Sequence, residues 1–400
     1  MTDNHSSEVL IVDDNLRNLQ VMGTILRDRG YRIALAKSGK EGIRMAQKTH
    51  PDLILLDIMM PEMDGFETCE KLKSNAHTQD IPVIFLSSKT ETEDIVKGFE
   101  KGAVDYITKP AVKEEVVARV HTHLQIGLLN RQLIQSNLEL KKKQNKLEEG
   151  LQSASVILRN LLPSRKDFPG FQIAWIYQPA ETLGGDFFDL IPLGDGKYAF
   201  YILDVSGHGV PSSLMAVSVS QVLHPPSGVI VGDEGKKAQT IVSPATVLSC
   251  LNRQFPFDRF EKYFTILYGT LDVHAKKVHY SSAAHPFAYL VRGKDQIYQL
   301  NQTGTIIGIE DNESFPEEET GLQKNDKLFF YTDGLSECSN EAEEMYGKKR
   351  LEDFLKEKGD LTADDLVKAV KQELDSFCKN QSQKDDISVM VLQCKSCDNT

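Results

Sequence analysis

Four turns between residues 184 and 388 each set an acid among small residues. They are Gly184-Gly185-Asp186-Phe187-Phe188-Asp189, Asp204-Val205-Ser206-Gly207-His208-Gly209, Tyr331-Thr332-Asp333-Gly334 and Lys384-Asp385-Asp386-Ile387-Ser388. The runs beside them, such as Phe187–Ile191 and Tyr198–Leu203, are aromatic and β-branched and read as strands, so each acid lies at a strand end. Four carboxylates presented this way suit hard divalent cations with oxygen ligands. Two such ions held about 3.5–4 Å apart make a hydroxide nucleophile and clamp a phosphoryl group. The fold must therefore gather acids that stand far apart in the sequence.

A chain of 400 residues exceeds the usual size of one core and predicts two domains with a connector. The formal charge of -12 argues against nucleic-acid and anionic-membrane partners. No apolar run approaches the roughly 20 residues of a membrane span. Met1–Ser7 lacks the apolar stretch of a signal peptide. Six scattered cysteines fit a reducing cytoplasm, and Cys394-Lys395-Ser396-Cys397 reads as two incidental tail thiols.

Residues 6–124 alternate strand and helix. Glu8–Val12 is an apolar run ending in Asp13 and Asp14. Asn15 caps a helix that Gly30 closes. Tyr31–Ala36 reads as a strand and Gly39–Lys48 as a helix, and the run Leu53–Leu56 ends in Asp57. Val83–Leu86 ends in Ser87, and Tyr106-Ile107-Thr108 leads to Lys109-Pro110. This spacing predicts a doubly wound parallel sheet with its site at the carboxyl ends of the strands. Asp13, Asp14 and Asp57 would repel one another without a cation, and Mg²⁺ fits. Lys109 supplies a point charge and Ser87 a hydroxyl for a phosphoryl oxygen, with Asp57 as acceptor.

On the acid pair, Asp57, Ser87 and the Lys109-Pro110 pair, this segment resembles a flavodoxin-like response-regulator receiver domain. The resemblance implies one Mg²⁺ at Asp13, Asp14 and Asp57, and phosphorylation of Asp57 by a sensor histidine kinase. It also implies movement of Ser87 and Tyr106 as the switch.

Residues 125–163 show heptad spacing. Ile126, Leu133, Leu140, Leu147, Ala154 and Leu161 form one seam, and Asn130, Asn137, Gln144, Leu151 and Leu158 the other. Leu at d with Asn at a suits a parallel two-stranded coiled coil, hence a homodimer. A single helix packed on a flanking domain is the competing reading. Pro163 ends the helix.

Residues 164–395 are strand-rich, with strands at Phe171–Gln178, Phe187–Pro192, Tyr198–Val205, Phe264–Asp272, Lys277–Ala283, Ala288–Arg292, Lys327–Thr332 and Ile387–Leu392. Helical patterns are grouped at Pro211–Leu223, Pro244–Arg253, Gly347–Lys356 and Ala363–Phe377. The expected architecture is α+β, an antiparallel β-sandwich faced by helices. His224–Ser243 reads as an exposed loop.

The four acidic turns, in this order, resemble those of PPM-type metal-dependent serine/threonine phosphatases of the SpoIIE/RsbU-like branch. The resemblance implies two Mn²⁺ or Mg²⁺ ions. Asp186, Asp204 and the Val205 carbonyl would hold one, and Asp204, Asp333 and Asp385 the other. Asp186 and Asp204 are the catalytic acids in this scheme, with Asp204 bridging. Asp189, Asp386, Asp195 and Asp272 read as supporting or turn residues. The chain departs from the eukaryotic pattern at Ser206, where a histidine is usual, and Ser282-Ala283-Ala284-His285-Pro286 resembles a family turn that usually has glycine where Ala284 stands. His208 reads as structural.

The reading is a cytoplasmic two-component regulator whose phosphatase output, controlled by Asp57, acts on a phosphoserine or phosphothreonine protein. The branch points to an anti-sigma-factor antagonist of the STAS type. The rival is a catalytically silent phosphatase-fold adaptor, whose signature would be loss of these acids; all four are present. A DNA-binding regulator would need a helix-turn-helix and basic surface that the sequence lacks.

Overall fold

A computed structural model describes residues 7–88, 92–164, 167–225, 229–232, 240–310, 314–379 and 381–395. The chain forms two compact units, Met1–Asn145 and Lys146–Thr400.

The first unit runs β1 (Glu8–Val12), α1 (Leu16–Arg27), β2 (Arg32–Ala36), α2 (Gly39–Thr49), β3 (Leu53–Asp57), α3 (Gly65–Lys73), β4 (Val83–Ser87), α4 (Thr92–Glu100) and β5 (Asp105–Thr108). α5 (Lys113–Leu161) follows. The sheet order is β2-β1-β3-β4-β5, every pair parallel. Continuous apolar runs suit strands covered on both faces. Val9 and Ile11 join one cluster with Leu19 and Val116 from α1 and α5, while Leu10 and Val12 join another with Phe66 and Leu72 of α3. Asn15 caps α1 by accepting from the Arg17 N–H at 2.9 Å. The helix ends at Arg27, before the expected Gly30, which instead adopts φ +89° in the turn to β2.

α5 passes Gly150 without a break, as the absence of an earlier breaker predicts. Val116, Val120 and Leu124 are buried, whereas Leu133, Leu140 and Leu147 are 59–65% exposed. Leu162, just past its end, is buried, and the Trp175 indole donates to the Pro163 carbonyl at 3.2 Å.

The second unit runs β6 (Asp167–Phe168), β7 (Phe171–Gln178), β8 (Phe187–Gly194), β9 (Lys197–Val205), α6 (Val210–Leu223), β10 (Val231–Gly232), β11 (Thr240–Ile241), α7 (Pro244–Gln254), α8 (Phe257–Phe260) and β12 (Phe264–Asp272). It continues with β13 (Lys277–Ala283), β14 (Ala288–Val291), β15 (Ile297–Leu300), β16 (Glu317–Gly321), β17 (Lys327–Tyr331), α9 (Asp333–Glu337), α10 (Gly347–Lys358), α11 (Ala363–Cys378) and β18 (Ile387–Cys394). Two antiparallel sheets result, β16-β13-β12-β9-β8 and β15-β14-β17-β18-β7-β6. Alternation gives each strand an inner and an outer side. Phe200 of β9 meets Phe330 of β17 at 5.1 Å between ring centroids, and both sheets contribute to one apolar cluster. The outer side of the second sheet packs Phe329, Val389 and Val391 against Leu351, Leu366 and Val370 of α10 and α11.

The segment after α6 departs from the exposed loop expected for it. Ile230 is fully buried, and Val231–Gly232 pairs with Thr240–Ile241. The apolar runs Val229-Ile230-Val231 and Ile241-Val242 supply the buried Ile230 and the paired backbone. The rest of that loop, most of Met1–Ser7, and Ser396 and Cys397 lie outside the described residues. Among the described residues no helix is long and apolar enough to cross a membrane.

Candidate functional site

Each unit gathers acids at the ends of its strands. In the first, Asp13 follows β1, Asp57 ends β3, Ser87 ends β4 and Lys109 follows β5. Ligand oxygens of Asp13, Asp14 and Asp57 lie within 4.8 Å of one another. The Lys109 ammonium stands 2.9 Å from Asp13 Oδ2 and 2.8 Å from Asp57 Oδ1. Asp13 also accepts from the Asn15 N–H at 2.8 Å and the Asn18 amide at 3.0 Å. Burial pushes the Asp57 carboxyl above its usual range, and Asp13 adds repulsion that Lys109 only partly offsets. Burial works to lower Lys109, but its two acid partners together hold it above its ordinary value. Two buried acids with a third, exposed one beside them, left short of positive charge, are what a divalent cation completes. Tyr106 on β5 packs edge-on to Phe99 at 6.4 Å, and the Arg119 guanidinium lies 5.7 Å from its ring centre. Ser87 and Tyr106 line the same small cavity with Phe85 and Ile95.

In the second unit, four elements deliver the predicted acids. Asp186 precedes β8, Asp204 is the penultimate residue of β9, Asp333 opens α9 and Asp385 precedes β18. The strand before Asp333 delivers it to the sheet edge, as its sequence position predicts. It then starts a short helix, since Gly334 lets the chain fold closely over the next strand end. A Cβ on Gly334 would stand 2.0 Å from the Asp386 carbonyl oxygen.

Asp186 is buried; its Oδ2 accepts from the Thr332 hydroxyl at 2.7 Å, and its Oδ1 has no partner. Burial first, then Asp204 and Asp386, raise its carboxyl well above the usual range. Asp204 is pushed up to about 8 by burial and by Asp333, Asp385, Asp386 and Glu337. Asp333 is pushed up to about 6 by burial, Asp385 and Glu337. These mutual effects place the four acids, with Glu337, in one electrostatic site. Among the described residues, no three of Asp186, Asp204, Asp333 and Asp385 bring ligand oxygens within 4.8 Å of one another as Asp13, Asp14 and Asp57 do.

Asp386 supports the site. It accepts from the Ala180 N–H at 2.7 Å and the Gly185 N–H at 2.5 Å, fixing the loop that carries Asp186. A Cβ on Gly185 would stand 2.9 Å from the Val205 carbonyl oxygen, so glycine keeps that oxygen clear. Asp189 pairs with His224 at 3.0 Å, and Asp272 accepts from the Ala275 N–H at 2.8 Å. His208 is exposed and pairs with Glu181 at 2.9 Å. Ala284 adopts φ +52°, the left-handed backbone that glycine would take more easily. The oxygen-only donors, the unpartnered Asp186 Oδ1 and the clear Val205 carbonyl fit divalent cations.

Thr332 and Glu337 join the site without a signal of their own in the sequence. Thr332 lies in the Tyr331–Gly334 turn, where it both donates to Asp186 and accepts from the Ser388 N–H at 2.9 Å. Glu337 becomes visible only through α9.

Residues 194–395 match the family model described as Stage II sporulation protein E, and residues 9–121 match that of the response regulator receiver domain. Asp204, Asp333 and Asp385 lie inside the first match; Asp186 lies before it. The chain is 47% identical over 125 residues to a probable cyclic di-GMP phosphodiesterase of Vibrio cholerae, covering 31% of this chain and 28% of that protein. It is 40% identical over 116 residues to the DNA-binding dual master transcriptional regulator RpaA of Synechocystis, covering 29% of this chain and 48% of that one. The chain thus spans less than half of either relative. Among solved structures, the SiaA-PP2C domain of Pseudomonas aeruginosa gives a TM-score of 0.54 at 21% identity, over 63% of this chain and 98% of that chain. At that identity the likeness is one of fold.

Proposed function

Because this chain belongs to the SpoIIE family and carries a response-regulator receiver domain, we propose that it is a two-component regulator with a metal-dependent protein phosphatase output. The observation that carries this is the convergence of Asp186, Asp204, Asp333 and Asp385 from four separate elements, with their carboxyls raised by burial and by neighbouring acids where the shift is resolved. Asp186, Asp204 and the Val205 carbonyl would hold one Mn²⁺ or Mg²⁺, and Asp204, Asp333 and Asp385 the other. When bound, such a pair supplies a hydroxide nucleophile at neutral pH and neutralises phosphoryl charge. Thr332 and Asp386 orient this set: Thr332 fixes one Asp186 oxygen and leaves the other free, and Asp386 holds the loop beneath it.

The substrate class is a phosphoserine or phosphothreonine protein, with a STAS-type anti-sigma-factor antagonist the family analogue. In the first unit, Asp57 accepts a phosphoryl group from a histidine kinase, beside one Mg²⁺ at Asp13, Asp14 and Asp57. Lys109 and Ser87 then bind the phosphoryl oxygens, and Ser87 and Tyr106 report the change. The functional divisions are 6–124, 125–163 and 164–395, and the working compartment is the cytoplasm.

Phosphate release from a phosphoserine STAS-type protein in Mn²⁺, with and without acetyl phosphate, tests this. Turnover is expected, with a rate that acetyl phosphate changes in the wild type and not in Asp57→Ala. No turnover on several phosphoproteins and an aryl phosphate, despite bound metal, would favour the adaptor. The exposed row Leu133, Leu140 and Leu147 supports a parallel coiled-coil dimer. Changing all three to Gln is expected to halve the mass measured by light scattering; an unchanged mass would sink the dimer.

A further inference from the structure

The Asp204–Gly209 turn has a cation attached that the metal scheme does not use. Across the sheet, β12 pairs with β9 so that Thr265 faces Asp204 and Phe264 faces Val205. The pairing continues beyond both strands, since the Ser206 N–H donates to the Tyr263 carbonyl at 3.0 Å. One residue further, the Lys262 ammonium donates to the Ser206 carbonyl at 2.7 Å and contacts the Ser212 hydroxyl at 3.2 Å. A Cβ on Gly207 would lie 3.0 Å from the same nitrogen. An ammonium has three N–H donors, so one is left over at a half-exposed position.

Charge says what that donor meets. Two divalent cations balance the four carboxylates of Asp186, Asp204, Asp333 and Asp385 and leave no excess positive charge. Asp386 and Glu337 lie within the electrostatic reach of Asp204, so the filled site repels a phosphoryl dianion unless another cation stands near. Among the described residues, the ammonium that reaches this turn is that of Lys262. It also sits beside the first turn of α6, where a cation is electrostatically misplaced unless an anion joins it. Both anomalies disappear with one ligand.

Resting on the phosphatase reading, we propose that Lys262 binds the phosphoryl group of the substrate from the Ser206 side of the site. Its hydrogen bonds to Ser206 and Ser212 hold the ammonium in place, and the third N–H serves the ligand.

The test uses the full chain loaded with Mn²⁺, as wild type, Lys262→Gln and Lys262→Arg. Inorganic phosphate affinity and Mn²⁺ affinity are measured by calorimetry, and KM on an aryl phosphate in parallel. Lys262→Gln is expected to weaken phosphate binding and raise KM by about tenfold, with Mn²⁺ affinity within about twofold of wild type and Lys262→Arg recovering most of the loss. Unchanged phosphate affinity in Lys262→Gln overturns the proposal. So does a parallel fall in Mn²⁺ affinity, which makes the lysine a brace for the turn alone. Absent turnover in the wild type defeats the phosphatase reading, while the phosphate titration still decides the role of Lys262.

Discussion

Asp204→Asn is expected to lower Mn²⁺-dependent phosphate release at least about a thousandfold. Asparagine keeps the size and one oxygen but cannot bridge two cations. The same change has a second, opposite effect on stability without metal. Asp204 is held near 8 when folded, by burial and by Asp333, Asp385, Asp386 and Glu337, against a usual value of about 4 in the unfolded chain. A carboxyl raised on folding favours the folded state while it stays protonated. That contribution is lost as pH climbs from about 4 through 8. In EDTA at pH 8.5 the wild type carries the full penalty of the buried charge, and Asp204→Asn does not. The variant should therefore melt higher than wild type in EDTA and gain less from added Mn²⁺. Equal melting temperatures in EDTA, with full retention of the Mn²⁺ response, would remove Asp204 from the metal site.

The contrast between the two units shows what a sequence displays. In the first, each functional residue lies within a residue or two of an apolar run, so strand order alone brings Asp13, Asp57, Ser87 and Lys109 together. Asp186, Asp204, Asp333 and Asp385 of the second unit were legible as strand-end acids for the same reason. Glu337 was not, because Asp333–Glu337 is too short for helical periodicity to register. Lys262 was not, because its partner Ser206 is 56 residues away and the link depends on strand pairing. β16 was missed because Glu317-Glu318-Glu319 carries no β signal; it forms by pairing with β13, where Tyr280 donates to Glu318 at 2.7 Å and Lys277 meets Glu319. β15, only four residues with two exposed, gave little more.

His285 supplies the largest expected effect in acid. Its ring is buried, Nδ1 lies 2.8 Å from the Thr265 hydroxyl, and the Tyr331 backbone opposes the effect of burial only in part. Burial holds it down at about 3, so it stays neutral in the folded chain long after it would protonate when unfolded. A histidine lowered on folding contributes stability that is complete above about 6.5 and is lost as pH falls toward 3. The loss approaches roughly 1.4 kcal/mol for each pH unit below 6. In metal-free protein the raised carboxyls of Asp186, Asp204 and Asp333 act the other way, gaining stability over the same fall. The raw pH profile therefore mixes two opposed trends, and a variant is needed to separate them. His285→Phe keeps an aromatic ring and cannot titrate. Trp175, the single tryptophan, lies on β7 and reports unfolding of the second unit by its emission. Between pH 7 and pH 4.5 the unfolding free energy of the wild type should fall relative to His285→Phe by about 2 kcal/mol. Parallel profiles would mean that the buried imidazole finds a proton acceptor in acid, and that the Thr265–His285 contact rearranges to admit it.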